Sequence, residues 1–218
     1  MKNIFDYKIW IFDLDGTLYH QLPVRLEMAL RLIFYYAIRP HRLKELFMLK
    51  DYRNLREKRF KAEEKNFQKL QIELMTQKYK MDSSTVEKII DRWLIKNPLK
   101  VIKRWQREKM LSTIKTQQSQ GKTIIIYSDY PVVEKLQSLD LNADYKFWSN
   151  DEIINCMKPN SKGLKNIIES LKLKREEILY VGDRDDRDKI CAEGANVDYL
   201  DVNEFEKIIS LGGDYEKR

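Results

Sequence analysis

Ile9-Trp10-Ile11-Phe12-Asp13-Leu14-Asp15-Gly16-Thr17-Leu18 decides how this chain is read. A β-branched and aromatic run, short enough to be a buried strand, stops at two carboxylates, a glycine and a hydroxyl that cannot pack in a core. The stretch therefore reads as a strand delivering polar groups to the edge of a sheet, where the ligands of open α/β sheets gather. Asp13 and Asp15 repel each other unless a proton or a cation neutralises them. A hard divalent cation meets that need, and Mg²⁺ is the expected cofactor.

Two more apolar runs end in the same manner. Thr123-Ile124-Ile125-Ile126-Tyr127 runs into Ser128 and Asp129, and Ile178-Leu179-Tyr180-Val181 runs into Gly182, Asp183 and an acidic loop reaching Asp188. Between them lies the basic pair-end Lys158-Pro159. From Gly121 onward short strands alternate with helices. Strands are expected at Lys122 to Tyr127, Tyr145 to Trp148, Ile178 to Val181 and Val197 to Leu200. Helices are expected near Val132 to Ser138, Lys162 to Leu171, Asp186 to Glu193 and Asn203 to Ser210. This alternation predicts a parallel sheet with right-handed crossovers. From about Pro23 to about Gln120 the apolar period is helical throughout, with breaks expected at Arg39-Pro40, Met81-Asp82-Ser83-Ser84 and Asn97-Pro98.

The four clusters, Asp13-x-Asp15-x-Thr17, Ser128, Lys158 and Gly182-Asp183 with Asp188, fall in the order of the four motifs of the haloacid dehalogenase (HAD) superfamily, which the chain resembles. The resemblance implies an α/β fold, an HAD-like Rossmannoid parallel sheet core with an inserted all-α cap of the C1 type. Residues 1–22 and 121–218 would form the core and 23–120 the cap, whose last helix, roughly Leu99 to Ser119, returns the chain to the core. It implies Asp13 as nucleophile, attacking phosphorus to form an aspartyl-phosphate. Asp15 would serve as general acid and then general base. Thr17, Ser128, Asp129 and Lys158 would bind the phosphoryl group, and Asp13, the Asp15 carbonyl, Asp183 and Asp188 would hold Mg²⁺. Asp186 competes with Asp188 for the last position. Asp15 favours phosphoryl transfer, because the dehalogenases of the superfamily lack an aspartate there. The expected activity is hydrolysis of a small phosphorylated metabolite, with a phosphomutase of the β-phosphoglucomutase-like type as the alternative.

At 218 residues with a net charge of +7 and a pI near 9.1, the chain has room for one core domain and an insertion. Cys156 and Cys191 supply no disulfide framework and no paired zinc spacing, so both read as structural thiols in a reducing compartment. The charged stretch Met1 to Lys8 and the lack of a membrane-length apolar run predict a cytoplasmic protein. The tail Asp214 to Arg218 is expected to fray.

A second functional class rests on the cap. Arg39, Arg42, Lys44, Lys50, Arg53, Arg56, Lys58, Arg59, Lys61 and Lys65, interleaved with Tyr52, Phe60 and Phe67, could form a nucleic-acid face. Glu45, Asp51, Glu57, Glu63 and Glu64 are mixed among them, as on a salt-bridged solvent face, so nucleic acid is not the expected partner. Leu26 to Ile38 is apolar enough for a substrate pocket or a membrane-surface helix, and is expected to be cap core. Tyr35 and Tyr36, with basic cap residues, are expected to help select the leaving group.

Overall fold

The computed structural model describes residues 2–59 and 67–211, the side chains at 57–59 and 67 excepted. The expectations for Phe60, Lys61, Glu63, Glu64 and Lys65, for the side chains of Glu57, Lys58, Arg59 and Phe67, and for the tail from Asp214 lie outside the described residues. Five strands, β1 (Ile9–Phe12), β2 (Thr123–Ser128), β3 (Tyr145–Trp148), β4 (Ile178–Gly182) and β5 (Asp198–Asp201), form one parallel sheet in the order β3-β2-β1-β4-β5. β1 is therefore central, and the chain leaves it first toward β2 and β3 and later toward β4 and β5. That reversal opens a crevice at the carboxyl ends of β1, β2 and β4, where a doubly wound sheet binds its ligand.

The three inner strands β1, β2 and β4 are buried on both faces, which is why they read as unbroken apolar runs, whereas the edge strands β3 and β5 are partly exposed and carry charged residues. Trp10, Phe12, Ile124, Ile126, Leu179 and Val181 face one side, together with Phe205 of α10 (Val202–Ser210) and Met110 of α6 (Glu108–Ser119). Ile9, Ile11, Ile125, Tyr127, Ile178 and Tyr180 face the other, against Leu164 and Ile167 of α8 (Lys162–Ser170) and Cys191 and Ala192 of α9 (Ile190–Gly194). Trp10 anchors the first layer. Its ring meets Phe12 and Phe205 edge-on at 6.0 and 5.2 Å, and its indole N–H donates to the Ile4 carbonyl at 3.0 Å.

The inserted helices are α1 (Gln21–Ala37), α2 (Leu43–Arg59), α3 (Phe67–Tyr79), α4 (Ser83–Ile90) and α5 (Asn97–Arg104); α7 (Val133–Ser138) follows β2 in the core. The break expected at Met81–Ser84 is present, with the Asp82 carboxylate capping α4 by accepting from the Thr85 N–H at 2.8 Å. The break expected at Asn97-Pro98 is not a break. Asp91–Lys96 forms a π-helical turn that joins α4 to α5 without leaving helical geometry, and Pro98 takes an early position of α5. Proline lacks an N–H and crowds the preceding turn, and a widened turn relieves both. The single helix expected over Leu99 to Ser119 is divided at Trp105–Arg107, and α6 lies against β2 and α10. At the division Tyr19 and Gln106 form an antiparallel bridge, with His20 N–H donating to the Trp105 carbonyl and Arg107 N–H to the Leu18 carbonyl. The two connections between core and cap thus run side by side.

Leu26 to Ile38 is only half cap core. Met28 and Tyr36 are buried, but Leu22, Leu26, Leu30, Ile33, Phe34 and Ile38 are 55–73% exposed along the outer side of α1. Among the described residues no helix is long and apolar enough to cross a membrane. Because Trp10 joins the central strand to α10, Trp10→Ala is expected to cost about 3–5 kcal/mol of folding stability, read as a lowered urea midpoint.

Candidate active site

Three strand ends converge. Asp13 follows β1, Ser128 and Asp129 close β2, and Asp183 follows β4, so the parallel register alone brings these groups to one edge. Lys158 comes from the loop after β3. It is 2% exposed, and its ammonium donates to Asp13 Oδ1 at 2.5 Å, Asp188 Oδ1 at 2.6 Å and the Tyr180 hydroxyl at 3.1 Å. Asp129 does not point its carboxylate outward. Oδ1 accepts from the Lys158 backbone N–H at 2.9 Å and Oδ2 from Arg187 at 3.3 Å, which fixes the Lys158 loop on the strand end. Thr17 is fully buried and donates to Asp13 Oδ2 at 3.2 Å, while Ser128 Oγ accepts from the Tyr130 N–H at 3.1 Å.

Asp15 stands slightly apart from that cluster. Its carboxylate accepts from Lys135 Nζ at 2.5 and 2.7 Å and from the Tyr19 hydroxyl at 2.6 Å, and its carbonyl from Gln21 at 3.4 Å. Burial, aided by Asp15 and Asp13, pushes the Tyr19 phenol far above its ordinary range, so it remains a proton donor to Asp15.

Asp188 rather than Asp186 joins the buried cluster. Asp185–Lys189 is a π-helical turn in which the Asp188 N–H donates to the Arg184 carbonyl at 2.7 Å, swinging Asp188 inward, while exposed Asp186 pairs with Arg184 at 2.7 Å. Gly182 admits this, since a Cβ there would lie 2.5 Å from Asp188 Cβ. Gly16 plays the matching part on β1. Its φ of +102° suits glycine, and a Cβ would sit 2.0 Å from Asp183 Oδ2.

Carboxylate oxygens of Asp13, Asp183 and Asp188 lie within 4.8 Å of one another. One ammonium, bonded to Asp13 and Asp188, faces three carboxylates, so the cluster is short of positive charge. Burial, opposed by Lys158 and reinforced by Asp188, Asp183 and Asp15, holds the Asp13 carboxyl well above the usual carboxylate range. Burial, with Asp188 beside it, pushes Asp183 up to about 6. Burial works against the Lys158 ammonium, yet Asp13 and Asp188 outweigh it and hold Lys158 well above an ordinary lysine. Asp183 Oδ1 is buried and accepts no hydrogen bond. An orphaned carboxylate oxygen beside two more carboxylates is the donor set of a hard divalent cation, so the residues fit one.

Residues 7–196 match the family model of haloacid dehalogenase-like hydrolases. The chain belongs to that family. This hydrolase resembles in fold a 2-haloacid dehalogenase from Pseudomonas syringae pv. Tomato DC3000, with TM-score 0.63, 13% identity, and 94% of this chain and 99% of that one covered. It also resembles a HAD phosphatase from Thermococcus onnurineus, with TM-score 0.57, 20% identity, and coverage of 94% and 98%. A HAD-superfamily hydrolase of subfamily IA from Geobacter sulfurreducens PCA gives 0.54, 17%, 88% and 85%. No sequence among the curated proteins compared matches the chain.

Several residues of the hydrolase site escaped the sequence reading. Lys135 sits in the first turn of α7, which leaves the β2 edge; a helix start at a strand's carboxyl end was the available signal. Arg56 of α2 is 3% exposed and donates to the Asp129 carbonyl at 2.8 Å and to Ser149 Oγ at 3.2 Å, with its guanidinium 4.8 Å from the Tyr130 ring centre. Nothing in its basic neighbourhood marks it as the one turned into the core. Tyr35 and Tyr36 were expected over the site and do not line its cavity. Tyr35 accepts from Arg42 and Arg92, and buried Tyr36 donates to Glu45.

Without metal, Asp183→Asn is expected to stabilise the fold by on the order of 1 kcal/mol, because one of three crowded carboxylates loses its charge. The wild type is expected to melt higher with a millimolar divalent cation such as Mg²⁺, and Asp183→Asn is expected to lose that rise; paired thermal melts check both. Gly16→Ala is expected to displace Asp183 and destabilise by about 1–3 kcal/mol, read in the same melts.

Proposed function

We propose that this hydrolase is a Mg²⁺-dependent phosphomonoesterase acting through an aspartyl-phosphate on Asp13. The supporting observation is the placement of Asp15. Its carboxyl lines the same cavity as Asp13 and is oriented by Lys135 and Tyr19 rather than spent in the Lys158 cluster. A second carboxyl so placed, held by an ammonium and a phenol outside the Lys158 cluster, is positioned for proton transfer.

In the first step an Asp13 carboxylate oxygen bonds to phosphorus as the ester P–O bond breaks, and the leaving oxygen takes a proton from Asp15. In the second step water attacks phosphorus, Asp15 accepts its proton, and the bond between Asp13 and phosphorus breaks to free phosphate. Lys158 orients Asp13 and brings positive charge to the phosphoryl group, Ser128 offers a hydroxyl, the Asp129 backbone N–H offers a donor, and Thr17 steadies Asp13 from its other oxygen. Asp13, the Asp15 carbonyl and Asp183 would hold Mg²⁺, with Asp188 in support; when bound, the ion offsets the charge shared by Asp13 and the phosphoryl oxygens. Transfer of the same phosphoryl group to a sugar hydroxyl would make a mutase, and a C–halogen substrate a dehalogenase. A halide leaves without a proton, so the oriented Asp15 argues against the dehalogenase, whereas a mutase would use Asp15 as acid and base just as the phosphatase does.

Phosphate release from acetyl and aryl phosphates is expected to require Mg²⁺ and to fall about 10²–10⁴-fold in Asp15→Asn, more for aryl phosphate than for the better leaving group of acetyl phosphate. Asp13→Asn should abolish both. Activity that survives in Asp13→Asn, or that ignores chelation of Mg²⁺, would overturn the reading.

A further inference from the structure

We infer that the leaving-group side of this site receives an apolar chain or ring, so that the substrate is the phosphomonoester of a hydrophobic alcohol or phenol rather than of a sugar. The inference rests on the phosphomonoesterase reading above. From Asp13 and Asp15 a cavity of about 270 Å³ extends beneath the inserted helices. Its far wall comes from three elements that the insertion packs together: Val24, Met28 and Leu32 of α1, Trp93 and Leu94 of the π-helical turn, and Ile102 of α5. Apart from the indole N–H of Trp93, these side chains offer no N–H or O–H group and no oxygen.

Several polar residues of the cavity already have partners, while Tyr130 and Glu134 line it on the segment from the end of β2 into α7, the segment that carries Lys135. Gln21 donates to the Asp15 carbonyl, Gln68 accepts from Asn150 at 3.0 Å, and Arg56 donates to Asp129 and Ser149. Arg25 and Arg53 also line it, but both are exposed, which places them at its mouth, where cations draw a phosphate anion inward without contacting a buried leaving group. A hexose seated against Met28, Leu32 and Trp93 would lose water from several hydroxyls and find at most the Trp93 indole N–H as a partner. A hydrocarbon there loses nothing polar and gains by leaving water. The volume lies just below the common range for ligand pockets, which fits one compact chain or ring and no more.

The test is a series of n-alkyl phosphates from methyl to octyl, run with Mg²⁺ beside acetyl phosphate and a hexose 6-phosphate, together with calorimetric binding of the matching n-alkyl phosphonates, which cannot be hydrolysed. Expected are hydrolysis of acetyl phosphate and a rise of about fourfold per added methylene in both kcat/KM and phosphonate affinity until the chamber is full. The hexose phosphate should lie well below the longer alkyl esters. Met28→Gln and Leu94→Gln should flatten the slope. Hydrolysis of acetyl phosphate with a flat alkyl series, or with the hexose phosphate preferred, overturns this inference and leaves the phosphomonoesterase reading standing. No hydrolysis of any ester, with phosphonate affinity still climbing, overturns the phosphomonoesterase reading and leaves an apolar anion site. A flat phosphonate series with no hydrolysis overturns both.

Discussion

Buried negative charge at the carboxyl edge of a parallel sheet is the constraint around which this molecule is arranged. Asp13, Asp183 and Asp188 arrive from the ends of two neighbouring strands and one following turn, and Lys158 alone among them is positive. A carboxylate held out of water without compensation would cost several kcal/mol, so the surrounding backbone is committed to placing the ammonium. Asp129 holds the Lys158 backbone, Arg187 holds Asp129, and Tyr180 on β4 receives the Lys158 head. The site is therefore built of paired charges whose partners come from strands far apart in sequence. It forms only when the sheet does.

The inserted helices answer a different physical need. Their inner surface continues the apolar layer on the Trp10 side of the sheet, so core and insertion share one hydrophobic cluster rather than two separate ones. Arg56 adds a polar fastening, burying its guanidinium against Tyr130 and the Asp129 carbonyl. Asn150 donating to Gln68 adds another. The two connecting segments lie side by side through the pairing of Tyr19 with Gln106, so the insertion enters and leaves the core at one place. α1 serves two environments, since Met28 and Leu32 face the cavity while Leu26, Leu30, Ile33 and Phe34 face outward.

How much could be read in advance followed from how local each signal was. The inner strands β1, β2 and β4 were legible to within a residue because a strand buried on both faces must be a short apolar run. The helices after Gly121 were legible because each fills the space between two such runs. The start of α4 was legible from the polar run Asp82-Ser83-Ser84, though the cap itself is the Asp82 carboxylate. The π-helical turns at Asp91–Lys96 and Asp185–Lys189 were not legible, since a widened turn is chosen by what it must reach and not by propensity. Proline at position 98 looked like an interruption and proved to be accommodated by the first of these turns. The exposed stripe of α1 was misread for a related reason: apolar period shows that a helix has a face to bury, and this helix is apolar on more of its circumference than its neighbours cover.

The sequence by itself determined the fold class and the cast of the site. Runs such as Ile9–Phe12 and Ile124–Tyr127 read as buried strands, and carboxylates and a hydroxyl placed just beyond strands of a parallel sheet must meet at one edge, toward which the loop after β3 brings Lys158. Only the tertiary structure decided who pairs with whom. That Lys158 bridges Asp13 and Asp188, that Asp186 stays in solvent, that Lys135 rather than another lysine holds Asp15, and that Trp93 instead of Tyr35 looks into the cavity all depend on side-chain directions set by packing. The physical reason is range. Strand and helix periods are written in neighbouring residues, whereas a buried charge is satisfied by whichever partner the completed sheet brings within about 3 Å.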